Sequence, residues 1–110
     1  MTEFYVLSVE KKAIGYPYEL EVGGQGVVLV GIRNLEGKAV DYWLKVTIAG
    51  EERQTLGPIS LTPEQGWERE VVFTPAWAGE QQKVEFLLWE GEPGEDEKPY
   101  RSLSILVDVR

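Results

Sequence analysis

The stretch Val27 to Ala49, VVLVGIRNLEGKAVDYWLKVTIA, decides the fold. From Val27 to Arg33, Val28, Val30 and Ile32 fall on one face of a period-two pattern, and Val27, Leu29, Gly31 and Arg33 on the other. After the polar connection Asn34-Leu35-Glu36-Gly37-Lys38 the alternation resumes from Val40 to Ile48. There Tyr42, Leu44, Val46 and Ile48 share a face, and Asp41, Trp43, Lys45 and Thr47 share the other. Side chains alternate between faces only in a strand, so the stretch reads as two half-buried strands joined by a turn. The core set is the face that is apolar throughout, apart from the Tyr42 phenol. At the turn, Asn34 suits an Asx-type bond to nearby backbone and Gly37 a positive φ.

Working outward, Phe4 to Val9 is rich in aromatic and β-branched residues and reads as a strand. Ala13 to Gly26 is a Gly- and Pro-containing loop. It is interrupted at Tyr18–Val22, where Tyr18, Leu20 and Val22 are expected to face inward. Arg53 to Leu56 reads as a short strand ended by Gly57-Pro58, followed by a brief extended piece, Ile59 to Leu61. Thr62-Pro63 suits the cap of one helical turn. Trp67 to Thr74 is a strand with Val71 and Phe73 in the core, and Pro75 to Gly79 is a corner. Lys83 to Glu90 places Val84, Phe86 and Leu88 inward. Tyr100 to Val109 does the same for Leu103, Ile105, Val107 and Val109, after a polar hairpin loop from Gly91 to Pro99. No window carries a helical stripe. Short strands separated by turn signals about every 8–12 residues indicate an all-β, immunoglobulin-like antiparallel β-sandwich of seven to eight strands, a single domain over residues 1–110.

Composition narrows the function. A chain of 110 residues is one domain's worth and large enough for a core without staples. It has no cysteine and no histidine. Disulfides, thiolate metal sites, a Cys nucleophile and the usual general base and zinc ligand are therefore excluded. A net charge of −8 disfavours nucleic acid and anionic membrane surfaces as partners. The start Met1-Thr2-Glu3-Phe4 shows no signal-peptide pattern, as expected of a cytoplasmic protein or of an excised domain. Abundant Glu with a single Asn and a single Met leans towards a thermophile.

Two stretches carry a resemblance. The first runs through Gly15-Tyr16-Pro17, Val22-Gly23, Val28 and Val30 to Asn34, Glu36-Gly37 and Tyr42. The second is Phe73-Thr74-Pro75, Gly79, the QKVEFLL segment from Gln82 to Leu88, and PYRSL from Pro99 to Leu103. Together they resemble the soluble domain of the archaeal membrane-protein family known as domain of unknown function 1616, over nearly the whole chain. The resemblance implies an extracytoplasmic module joined to membrane helices, facing outside the cell, with no activity attached.

Candidate sites are few. Trp43 projects outward from the strand after the first turn, which in such a sandwich neighbours the penultimate strand, source of Leu87 and Trp89. An exposed Trp43/Leu87/Trp89 patch would be a contact surface for a protein partner, a second copy or a sugar ring; otherwise loops cover it as an ordinary second layer. Leu29 and Leu106 either join it or lie on the other sheet. Trp67 and Trp77, beside turns, read as corner-packing residues. Glu92, Glu95, Asp96 and Glu97 crowd one loop. Clustered carboxylates suit Ca²⁺, which takes about six to eight oxygens, although the spacing is not that of an EF-hand and a solvated acidic turn is the simpler reading. Glu68, Glu70 and Glu85 lie on water-facing strand faces and do not frame the cleft a glycosidase needs. The serines have no histidine to activate them. The expectation is a non-enzymatic interaction or structural module without cofactor, the alternative a binder of carbohydrate or Ca²⁺.

Overall fold

The computed structural model describes residues 1–8, 19–94 and 97–110. Eight strands follow in order: β1 (Thr2–Leu7), β2 (Glu19–Leu20), β3 (Gly26–Asn34), β4 (Val40–Ile48), β5 (Glu51–Leu61), β6 (Gly66–Phe73), β7 (Gly79–Glu90) and β8 (Arg101–Val109). They form two sheets, β1-β3-β6 and β2-β8-β7-β4-β5, an immunoglobulin-like sandwich. All pairings are antiparallel except the short β2–β8 contact. The expected strand Val9 end and Tyr18 lie outside the described residues.

The inner faces are those the alternation selects. Val28, Val30 and Ile32 of β3, Tyr42, Leu44 and Val46 of β4, and Val84, Phe86 and Leu88 of β7 are fully buried. Val71 and Phe73 of β6 and Val107 and Val109 of β8 complete the layer. Transfer of such side chains from water, about 1.5–3 kcal/mol each, is the main force holding the sheets together. The single phenol in this set is satisfied: Tyr42 Oη lies 2.7 Å from Thr2 Oγ1.

Local readings are corrected where tertiary contacts intervene. Arg53–Leu56 and Ile59–Leu61 are one strand, β5, because Gly57-Pro58 forms a bulge against Trp43 rather than a break. Gly57 has a φ of 154°, and a Cβ there would lie 2.6 Å from the Trp43 ring, so the indole needs a bare backbone beside it. Thr62–Gln65 is a hydrogen-bonded turn without a helix, its Gln65 N–H donating to Thr62 O. Val22, expected inward, is 47% exposed, since β2 stops at Leu20 and the chain turns away. Trp77 is 44% exposed and does not pack the corner, whereas Trp67 is half-buried against the core.

Asn34 does more than shape its turn. The Glu36 N–H donates to its Oδ1 at 2.9 Å, the Asx geometry, and Gly37 has a φ of 79°. Its Nδ2 also donates to Lys38 O at 2.7 Å and to Leu61 O at 3.0 Å. Its backbone N–H donates to Gln65 O, and its C=O accepts from Glu64 N–H. This fully buried residue therefore ties the β3–β4 turn to the end of β5 and to the β5–β6 turn. Asn34→Ala strands several buried backbone groups and is expected to cost about 2–3 kcal/mol. The check is a lower urea midpoint at unchanged slope.

Candidate functional site

Pairing of β4 with β7 sets Trp43 directly opposite Trp89 and Lys45 opposite Leu87 on the outer face of the five-stranded sheet. The three residues picked from the sequence are thus neighbours, but not an open patch. Trp89 is only 6% exposed. Its indole N–H donates to Glu97 O in the β7–β8 loop at 3.2 Å, and Lys45 Nζ sits 5.3 Å from its ring centroid. A buried indole needs such a partner for its N–H, and the loop that supplies it covers the ring. Trp43 and Leu87 are half-buried, Trp43 against Gly57. Leu106 is on this face but exposed and in register with Lys83, while Leu29 belongs to β3 in the other sheet.

In the acidic loop, Glu95 and Asp96 lie outside the described residues. Glu92 is exposed, and the Glu97 carboxylate accepts the Gly94 N–H at 2.7 Å. Among the described residues no group of three or more carboxylates converges as metal ligands do. With Glu97 occupied as a loop brace, millimolar CaCl₂ is expected to leave the melting temperature unchanged; a rise that is lost when Glu92, Glu95, Asp96 and Glu97 are replaced by their amides would assign Ca²⁺ to this loop.

A groove opens on a side of the sandwich that the sequence did not single out. β5 is an edge of the five-stranded sheet and β6 an edge of the three-stranded one. At one end they are bridged: Gln54 Nε2 donates to Val72 O at 2.7 Å and Arg53 Nη2 to Thr74 O at 3.3 Å. Towards the other end they part, leaving a groove of about 520 Å³ between Thr55–Leu61 on β5 and Gln65, Trp67 and Arg69 on the opposite wall. Half-buried Leu56, Ile59 and Trp67 form an apolar floor. Among the described residues, Arg69 is the only charged one in the lining. Its register opposite Val30 gives it an inward-facing position, yet it is exposed, because the groove opens there. The turn pinned by Asn34 closes this end.

A polar cluster at the same end of the molecule also escaped sequence reading, since its members are scattered along the chain. Thr2 Oγ1 donates to Glu36 Oε2 at 2.8 Å and lies 3.3 Å from Glu90 Oε1. Having one proton, that hydroxyl accepts from Tyr42. Tyr100 Oη donates to Glu36 at 3.0 Å. The Thr2 hydrogen bond, then that of the amino terminus, holds the Glu36 carboxyl down to about 2. Burial, then the hydrogen bond and charge of Glu36, push the Glu90 carboxyl up. A depressed carboxyl stabilises the fold above its ordinary value of 4.5 and loses that contribution as pH falls towards 2. A raised one stabilises below 4.5 and loses its contribution as pH rises through the raised value. Glu90→Gln is therefore expected to raise the melting temperature at pH 7, the gain over the parent vanishing as pH falls below 4.5.

Known proteins place this geometry. No curated protein matches the chain. Among solved structures, the crystal structure of the CARDB domain of the PF1109 protein from Pyrococcus furiosus, in complex with di-metal ions, aligns with a TM-score of 0.65 at 19% identity, covering 98% of this chain and 93% of that one. The solution structure of the same domain gives 0.66 at 18%, covering 98% and 94%. The C-terminal domain of wzt gives 0.65 at 14%, covering 99% and 73%. At these identities the likeness is one of fold. The family model "Domain of unknown function (DUF1616)" matches residues 1–108, and the chain belongs to that family.

Proposed function

We propose that this chain is a non-catalytic interaction module whose working surface is the groove between β5 and β6. The observation that carries the reading is Arg69: a cation at an inward-facing position, held open to solvent in a lining that has no Asp or Glu among the described residues, on a chain of net charge −8. A charged side chain kept at the mouth of an apolar floor is the arrangement of a recognition site, where the floor supplies area and the charge selects the partner. Two open sheet edges beside it add backbone groups that an incoming chain pairs with. The resemblance to membrane-anchored relatives adds the setting: a module facing outside the cell, held by membrane helices in the same polypeptide, with a protein partner as occupant. No helix among the described residues is long and apolar enough to cross a membrane.

The test uses the full-length protein in the cells that make it. A photo-crosslinking amino acid at Gln65, exposed on the groove wall, is expected to form a discrete adduct that the same probe at Ser104, on the outer face of β8, does not. Equal adducts at both positions, or none at Gln65, would remove the groove as the working surface. In the same cells a membrane-impermeant amine reagent is expected to label the domain without lysis; labelling only after lysis would place it in the cytoplasm.

A further inference from the structure

We infer that the groove takes an extended segment of a partner protein, added beside β6 as a fourth strand of the β1-β3-β6 sheet, with a carboxylate side chain against Arg69. The inference rests on the groove being the working surface and names what fills it.

The backbone supports strand addition. Gln54 and Arg53 reach Val72 O and Thr74 O across the gap, so the carbonyls of β6 at these positions point away from β3 and towards β5. Val72 pairs with Val27 and Glu70 with Leu29. Antiparallel ladders alternate, so the N–H and C=O of Glu70 turn the same way as those of Val72. At Val72 the edge is capped by a side chain of β5. Glu70 lies next to Arg69, which lines the open part of the groove, and no side chain of β5 is bonded to its backbone among the described residues. The β5 wall from Thr55 to Leu61 is roughly 20 Å long, enough to accompany a short strand.

The side chains then specify a pattern. Residues on an added strand face those of β6 across the new ladder, and opposite charges stabilise such pairs. Opposite Trp67 the incoming side chain meets the apolar floor with Ile59. Two residues on, it meets Arg69, which among the described residues makes no ion pair or side-chain hydrogen bond. A carboxylate there forms a charge-assisted, forked contact. On the other face of β6 Glu70 is exposed, next to Glu68, whose carboxylate already accepts from Tyr5 Oη at 3.0 Å. The acidic character of this face favours a basic side chain at the positions between, with Glu70 as its partner. The segment therefore alternates, apolar or acidic inward and basic outward. The opposite alternation would set carboxylates beside Glu68 and Glu70 and a cation beside Arg69, which like-charge repulsion disfavours.

The probe is a blocked peptide containing Leu-Lys-Glu-Lys-Leu, which reads the same in both strand directions, titrated into the folded domain and followed by backbone amide chemical shifts. Shifts are expected to be confined to residues 66–70 and 55–61, with a downfield move of the Glu70 amide as it gains a hydrogen bond. Replacing the central glutamate by glutamine, or Arg69→Ala in the domain, is expected to weaken binding about tenfold. Methylating the backbone nitrogens of the two lysines is expected to abolish it while leaving every side chain in place. No shift in β6 at millimolar peptide, or equal binding by the reversed peptide Leu-Glu-Lys-Glu-Leu, overturns the inference. So does free glutamate or an acidic sugar that shifts Arg69 as strongly as the peptide does. A Gln65 adduct in cells together with a silent peptide would defeat the strand while leaving the groove as the surface, so the two readings fail separately.

Discussion

Much of this molecule depends on one buried amide. Asn34 ends β3, and a strand end inside a protein leaves backbone groups that must find partners. Its side chain answers for three of them at once, on its own turn, on Lys38 and on Leu61 at the end of β5. Its backbone holds the β5–β6 turn through Glu64 and Gln65. The two sheets are otherwise joined mainly by apolar contact, which is strong but non-directional. The Asn34 hydrogen bonds add direction, and they set where β5 stops and β6 begins. Because β5 and β6 wall the groove, the residue that shapes the first turn also shapes the opposite side of the sandwich.

The outer surfaces obey a different rule. A sheet of this size has an outward face that need not be polar, and large side chains there are covered by whatever the topology brings over them. Trp43 and Trp89 meet because β4 and β7 are neighbours, and the β7–β8 loop then seals Trp89 because its indole N–H requires an acceptor that Glu97 O provides. The bulge at Gly57-Pro58 lays backbone along Trp43 from the side of β5. The same bulge puts a proline on an edge strand, which blunts pairing along β5, so β6 is the better of the two edges for an added strand.

The site readings share a physical basis. Acidic residues outnumber basic ones in the chain, yet among the described residues the groove lining holds no carboxylate and one cation, Arg69. At the neighbouring end, the hydrogen bond from Thr2 holds the Glu36 carboxyl below its ordinary range, while burial and the nearness of Glu36 push the Glu90 carboxyl above it. The similarity to the CARDB domain and to the C-terminal domain of wzt is one of fold, and fold alone does not carry a site.

The period-two pattern is local information: whether a residue faces in or out depends on its neighbours in the chain, so Val28, Val30, Ile32, Tyr42, Leu44, Val46, Ile48, Val84, Phe86 and Leu88 are legible as core from the sequence alone. The strand-turn-strand unit around Asn34, the all-β sandwich of seven to eight strands and the adjacency of Trp43 to Trp89 follow from the same alternation and the topology it implies. The burial of Trp89, the joining of β5 through its bulge, the Thr2–Glu36–Tyr42–Glu90–Tyr100 cluster and the groove with Arg69 are decisions of the tertiary structure. Each depends on residues far apart in the chain meeting at a strand edge or under a loop. Alternation says which face Arg69 belongs to; only the parting of β5 from β6 turns that inward face into an open one.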